Sequence, residues 1–154
     1  MAQPVAAAKP NSIPGPQLNA AGRICLGLLG FLGVGAIGGG IVLVMDPDGH
    51  AMQWDTSMLA GSPFSDFTIP GLILLGLFGI GSLAVAGLGL LHAHLAPFLA
   101  FAIGCGLMIW IPVELAIIKE LSFLHPVMFA TGLFIAISSV RWGWPTFTAW
   151  RAVH

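Results

Sequence analysis

Hydrophobic positions in this chain gather into long segments that contain no charged residue. No Asp, Glu, Lys or Arg occurs from Phe67 to Val113, and two more such segments run from Ile24 to Met45 and from Leu121 to Val140. The hydrocarbon core of a bilayer takes about 20 helical residues, so the longest segment has room for two spans and each of the others for one. The pattern predicts an all-α, polytopic membrane protein with four transmembrane helices in a compact bundle.

These segments divide the chain into one membrane domain and two tails. A flexible tail is predicted for residues 1–22, which are rich in proline and alanine. A short second tail is predicted for residues 143–154. The four-helix transmembrane domain is predicted over residues 23–142. Its spans are expected at residues 23–45, 68–91, 97–118 and 123–141, with an outer loop at 46–67.

Composition supports the membrane assignment and limits the kinds of partner that are expected. The chain is 57% hydrophobic and 7% charged, with a mean hydropathy of +0.96, whereas about a quarter of the residues of a soluble domain are charged. Only five Lys and Arg are present and they do not cluster, which argues against a nucleic-acid partner. The expected partners are membrane lipids and, within the membrane, another protein or further copies of this chain.

Basic residues predict the orientation. Four of them flank the predicted domain at its two ends: Lys9, Arg23, Arg141 and Arg151. Because Lys and Arg favour the cytoplasmic side, both termini are expected there, and the long loop is expected outside. The tryptophans agree, with Trp54 and Trp110 toward the outer interface and Trp142, Trp144 and Trp150 toward the inner one.

Glu114 is a carboxylate inside an apolar helix. Trp110 precedes it by four residues, so both side chains lie on one helix face, and Pro112 frees a backbone carbonyl nearby. An ionisable group within a span indicates a proton site, a substrate anchor or a hydrogen-bond hub. The alternative is that Glu114 lies near the end of its span, where burial costs little and Lys119 is close.

Further acidic and imidazole groups are expected on the same outer side. These are Asp46, Asp48, His50 and Asp55 of the loop, together with His125 at the start of the fourth span. Such a mixture suits a divalent cation, but the spacing matches no compact ligand motif, so no metal site is predicted. Catalytic motifs such as a nucleophile elbow, a phosphate loop or C-x-x-C are also absent from the sequence, and no catalytic residue and no cofactor are predicted.

The first span is rich in glycine. Gly35 and Gly39 form a small-xxx-small pair, which in membranes allows close helix approach. The pair predicts a helix interface, either within the chain or with a partner. The alternative is that glycine is simply common in membrane helices.

Several short motifs resemble a known group of proteins. They are DPDG at 46–49, LAGSPF at 59–64, IPGLIL at 69–74, WIPVE at 110–114 and SFLHP at 122–126. In these motifs the chain is similar to small four-helix bacterial integral membrane proteins of unassigned function. The resemblance implies a shared four-span fold in which the loop packs over the helix ends near Glu114. The expected location is a bacterial inner or plasma membrane.

Polar residues are scarce within the spans, which favours a role without chemistry. The leading prediction is an accessory, scaffold or interaction subunit without catalytic activity of its own. One alternative is a small oligomeric transporter in which Glu114 is a proton-coupled or substrate-binding carboxylate. Another is a cofactor-binding or enzymatic membrane subunit that uses histidines at helix ends.

Overall fold

The computed structural model describes residues 17–119 and 122–151, with side chains described as far as Trp144. Its elements are α1 (Ala20–Met45), α2 (Thr68–Ile73), a π-helix (Leu74–Ile80), α3 (Gly81–Leu90), α4 (Ala96–Ile118) and α5 (Leu124–Arg151). Within the described ranges, four helical segments are long and apolar enough to cross a membrane. The predicted all-α, four-span architecture is confirmed.

The second span is one continuous helix with a wider turn in its middle. α2, the π-helix and α3 follow each other without a break, and the joining residues Ile73 and Gly81 keep right-handed helical backbone angles. The sequence analysis expected a span here but not the π-helix. A π-turn shifts the register of the hydrogen bonds, so the faces of α2 and α3 are rotated relative to a regular helix.

Both predicted tails differ from the structure where it describes them. α1 begins at Ala20, earlier than predicted, because the Asn19 side chain accepts a hydrogen bond from the Gly22 N–H at 2.9 Å and caps the helix. The fourth helix was predicted to end at Arg141 but continues to Arg151. Trp142, 1% exposed, packs into the bundle core just beyond the predicted end of the span. Residues 1–16 of the predicted first tail lie outside the described residues.

Glycines set the closest helix contacts. A Cβ atom built on Gly40 of α1 would lie 2.7 Å from the Leu75 backbone nitrogen, and one on Gly104 of α4 would lie 2.7 Å from the Gly132 carbonyl oxygen of α5. α1 therefore packs tightly on the second span, and α4 on α5. By contrast, a Cβ atom on Gly35 would meet nothing within 4 Å, so this glycine makes no close helix contact within the chain. Gly39 is intermediate, with Leu74 Cδ2 at 3.3 Å.

The two ends of the bundle are packed differently. At the end without the long loop, Trp142 fits between Gly22 of α1 and Gly89 of α3, and Cys25 Sγ lies 3.9 Å from the Ile135 carbonyl oxygen. Trp142 is thus a core residue and not part of an interfacial belt. At the other end, the loop (residues 46–67) folds into two short 3-10 helices, His50–Met52 and Thr56–Leu59. It forms a separate apolar cluster with the ends of α1 and α4.

Candidate functional site

A cavity of about 290 Å³ lies at the loop end of the bundle. We call it the Glu114 cavity. Its walls come from α1, α4 and the start of α5, the long loop lies against it, and most of the lining side chains are apolar. α1 and α5 touch near Cys25 and Ile135, toward the opposite end, so the cavity occupies the loop-end half, where α1 and α5 diverge.

Five of the residues singled out in the sequence line this cavity: Glu114, Trp110, His125, Gly35 and Gly39. They come from three helices that are distant in the chain. The sequence analysis treated the glycine pair and the Glu114 group as separate features, and the structure brings them together. It missed Phe31 of α1 and Met52 and Trp54 of the loop, which also line the cavity.

Helical spacing explains why α4 presents Glu114 to the cavity. Five α4 residues line it at intervals of one, three or four positions: Leu107, Trp110, Ile111, Glu114 and Ile118. Residues at such intervals share one face of a helix. α4 is continuous through Pro112, which is exposed on another face. The carboxyl is therefore part of the face that α4 turns inward.

The glycine pair creates much of the open space. A side chain at Gly35 would extend into a region without neighbours within 4 Å, and Gly39 contacts only the far ends of Leu74 and Met52. Both residues line the cavity. Their missing side chains leave the wall of α1 recessed, which gives Gly35 and Gly39 a role that the small-xxx-small pattern did not predict.

Two tryptophans that line the cavity are held in place by buried phenylalanines. The rings of Trp54 and Phe67 have centroids 5.4 Å apart, and those of Trp110 and Phe78 have centroids 6.2 Å apart, both in tilted arrangements. Phe67 and Phe78 are each 1% exposed. Such aromatic pairs add to the packing energy and restrict the rings. Both indoles are therefore pre-positioned at the cavity.

Glu114 interacts with two polar side chains, the His125 imidazole and the Trp110 indole. His125 is itself fixed at the start of α5, where its Nδ1 accepts a hydrogen bond from the Ser122 N–H at 3.1 Å. This leaves Nε2 as the ring nitrogen available to the cavity. Lys119, the C-cap of α4, is exposed and forms no ion pair with Glu114. Over the described part of the chain, Glu114 has no lysine or arginine partner.

A smaller space adjoins the other side of Glu114. It measures about 30 Å³ and lies between α4 and the loop, with Leu59, Phe64 and Pro70 in its wall. Trp54, Trp110 and Glu114 border both spaces. A volume of this size holds about one water molecule. Glu114 thus borders both the apolar cavity and this small second space.

The acidic residues of the loop do not join this site. Asp46 accepts a hydrogen bond from the Ala51 N–H and lies 3.9 Å from His50 Nδ1, while Asp55 accepts from the Ser57 N–H at 2.7 Å. Hydrogen bonds from Ser57 lower the pKa of Asp55. Asp48 lies in the turn before the first 3-10 helix. Across residues 17–119 and 122–151, no three His, Cys, Asp or Glu side chains converge as metal ligands would. The predicted cluster therefore organises the loop.

No family model, curated protein or solved structure matches this chain significantly. The resemblance to the four-helix bacterial group stays a prediction.

Proposed function

We propose that this protein binds a small, largely apolar molecule with one polar group in the Glu114 cavity, as the substrate-recognition step of a small membrane transporter. One observation carries this proposal: a cavity of about 290 Å³ is lined by the Glu114 carboxyl, the His125 imidazole and the indoles of Trp54 and Trp110. Small-molecule sites have volumes from about 300 Å³ upward, mainly apolar walls and a few convergent polar groups. The Glu114 cavity fits that description.

The position of Glu114 supports the assignment of a binding role. An ionised carboxylate in an apolar setting is costly unless a partner compensates its charge. Within the described residues, no lysine or arginine provides that compensation. Its described polar neighbours are the His125 imidazole and the Trp110 indole, and a bound molecule or a proton would supply the remaining compensation, which is the role of a substrate-binding carboxylate. The accessory-subunit and cofactor-binding interpretations stay predictions.

The orientation belongs to the same proposal. With both termini in the cytoplasm of a bacterial cell, the long loop and the Glu114 cavity lie on the outer side of the inner membrane. Substrate is then recognised from the outer side. The tightly packed opposite end faces the cytoplasm.

The binding proposal can be tested with 4-bromobenzyl alcohol, whose bromine quenches tryptophan fluorescence on contact. Purified protein in phosphatidylcholine nanodiscs is titrated with this probe. We expect saturable quenching, because Trp54 and Trp110 line the cavity. Gly35→Phe should abolish the saturable part by filling the cavity.

Gly38→Phe is the matched control. Gly38 lies on the same helix and, like Gly35, has open space where a side chain would begin, but it does not line the cavity. This variant should quench like the wild type. Equal quenching of the two variants would show that the probe dissolves only in lipid, and the proposed binding site would be rejected.

A further inference from the structure

We propose that the molecule bound in the Glu114 cavity is an organic cation, an apolar compound that carries a substituted ammonium group. This inference rests on the proposed binding function and adds the chemical class of the substrate. It follows from the charges, the aromatic walls and the rim of the cavity.

Charge complementarity favours a cation over an anion. The ionisable side chains that line the cavity are Glu114 and His125, and no described lysine or arginine lines it. An anionic ligand would face the carboxyl without a fixed positive charge to hold it. A neutral ligand would add no charge compensation to an ionised Glu114 beyond that of its neighbours His125 and Trp110, whereas an ammonium group compensates the carboxylate directly.

The aromatic walls suit an ammonium group that has few or no N–H donors. The cavity is lined by three aromatic side chains, Phe31, Trp54 and Trp110. The Trp54 ring packs against Phe67, and the Trp110 ring packs against Phe78. The faces of indole rings attract cations, and substituted ammonium groups are recognised in this way. Apart from Glu114, the side chains of the lining offer few hydrogen-bond acceptors, so a heavily hydrated amine would lose more than it gains.

Two exposed side chains at the edge of the cavity, which we call its rim, indicate that the ligand is also apolar. Phe31 of α1 is 59% exposed and Leu124 of α5 is 51% exposed, and both line the cavity. In a membrane-embedded bundle the exposed Phe31, within its span, faces lipid, and Leu124 lies at the first residue of its span. A cation with an aromatic or alkyl body matches a carboxyl beneath such a rim, whereas a small hydrated cation does not.

Two probes of the same shape test the charge preference. They are 4-bromobenzyltrimethylammonium and its carbon isostere 1-bromo-4-(2,2-dimethylpropyl)benzene, which differ only in the positively charged nitrogen. Cavity-specific quenching is the signal of Gly38→Phe minus that of Gly35→Phe, at probe concentrations corrected for partition into empty nanodiscs. We expect the ammonium to bind about tenfold more tightly than the isostere.

Glu114→Gln should bring the affinity for the ammonium to within about threefold of that for the isostere. Affinity for the isostere should stay unchanged, which also shows that the cavity still forms. Asp48→Asn, which removes a loop carboxylate outside the cavity, should leave both affinities unchanged. If the glutamine variant does not fold, the ratio of the two affinities with Glu114 in place decides the question.

The two proposals fail in different ways. If the isostere binds as tightly as the ammonium, or Glu114→Gln leaves the ammonium affinity unchanged, the cation is rejected while the binding site stands. If neither probe nor 4-bromobenzyl alcohol gives cavity-specific quenching, the proposed function itself is rejected.

Discussion

Single aspartates shape the loop that lies against the cavity. Asp55 accepts a hydrogen bond from the Ser57 N–H at the start of a 3-10 helix, and Asp66 accepts one from the Thr68 N–H at 2.9 Å, at the start of α2. Hydrogen bonds to the ionised carboxylate lower the pKa of both residues. Each carboxylate thus ties the loop to the element that follows it.

We predict that Asp66→Ala lowers the thermal unfolding midpoint of the purified protein at pH 7. The folded pKa of Asp66 lies below its usual value of about 3.9, so its stabilising contribution is complete above that pH and is lost as the pH falls through the folded pKa. The difference between variant and wild type should therefore stay constant from pH 7 to about pH 5 and shrink as the pH falls further. Midpoints from circular dichroism at several pH values measure it.

Asp48→Ala is the control for this prediction. Asp48 lies in the same loop, and the structure shows no side-chain hydrogen bond for it. Its replacement should change the midpoint little at any pH. An Asp66→Ala effect that grows toward low pH would contradict the assigned role.

Residue identity alone predicted the polar part of the site but not its apolar part. Glu114 is recognisable because carboxylates are rare inside apolar helices, and helical spacing then adds Trp110. Phe31, Met52 and Trp54 carry no such signal, because aromatic and methionine side chains are common in membrane helices and at their ends. Their place in the cavity depends on how the loop folds back and how α1 is rotated.

At the scale of helices, a few glycines decide where the backbones meet. Gly104 and Gly132 bring α4 and α5 together: a Cβ atom on either one would lie less than 3.0 Å from the backbone oxygen of the other. Side-chain movement cannot relieve a clash with backbone. The contact therefore fixes the relative position of the two helices that present Glu114 and His125.

Gly104→Ala should destabilise the protein by about 1–3 kcal/mol, because the added methyl group forces α4 away from α5. Reversible unfolding in mixed detergent micelles measures the change. Gly106→Ala is the matched control on the same helix, since a Cβ atom there would meet only Phe78 at 3.8 Å, an ordinary contact. Equal free energies of unfolding for the two alanine variants would show that the close approach of α4 and α5 does not contribute to stability.

The number of spans followed from the sequence, but the contacts between them did not. Charge-free length determines how many helices fit a bilayer, and this information is local. Which glycines contact a neighbour depends on helix rotation, so Gly35 and Gly39 could not be distinguished from Gly33 and Gly40 by pattern. The π-helix at Leu74–Ile80, which packs against α1, likewise has no marker in the sequence.

For the molecule as a whole, the packing is asymmetric along the membrane normal. The end near Trp142 has buried side chains from α1, α3 and α5 in contact, whereas the loop end contains the Glu114 cavity. A ligand of the kind proposed would therefore reach Glu114 from the loop side or from the surrounding lipid. The side of the membrane on which the loop lies decides which compartment supplies the ligand.

We predict that the loop lies outside the cell and the first residues inside. Single cysteines are placed at Ser57, exposed in the loop, or at Ser12, within the predicted first tail, in a background with Cys25 and Cys105 replaced by alanine. A membrane-impermeant maleimide added to intact cells should label Ser57→Cys and not Ser12→Cys. Permeabilised cells are the control, because both variants should then react. The prediction follows from the basic residues that flank the domain, which favour the cytoplasmic side. Labelling of Ser12→Cys alone in intact cells would reverse the orientation and place the Glu114 cavity on the cytoplasmic side, where it would bind its ligand from inside the cell.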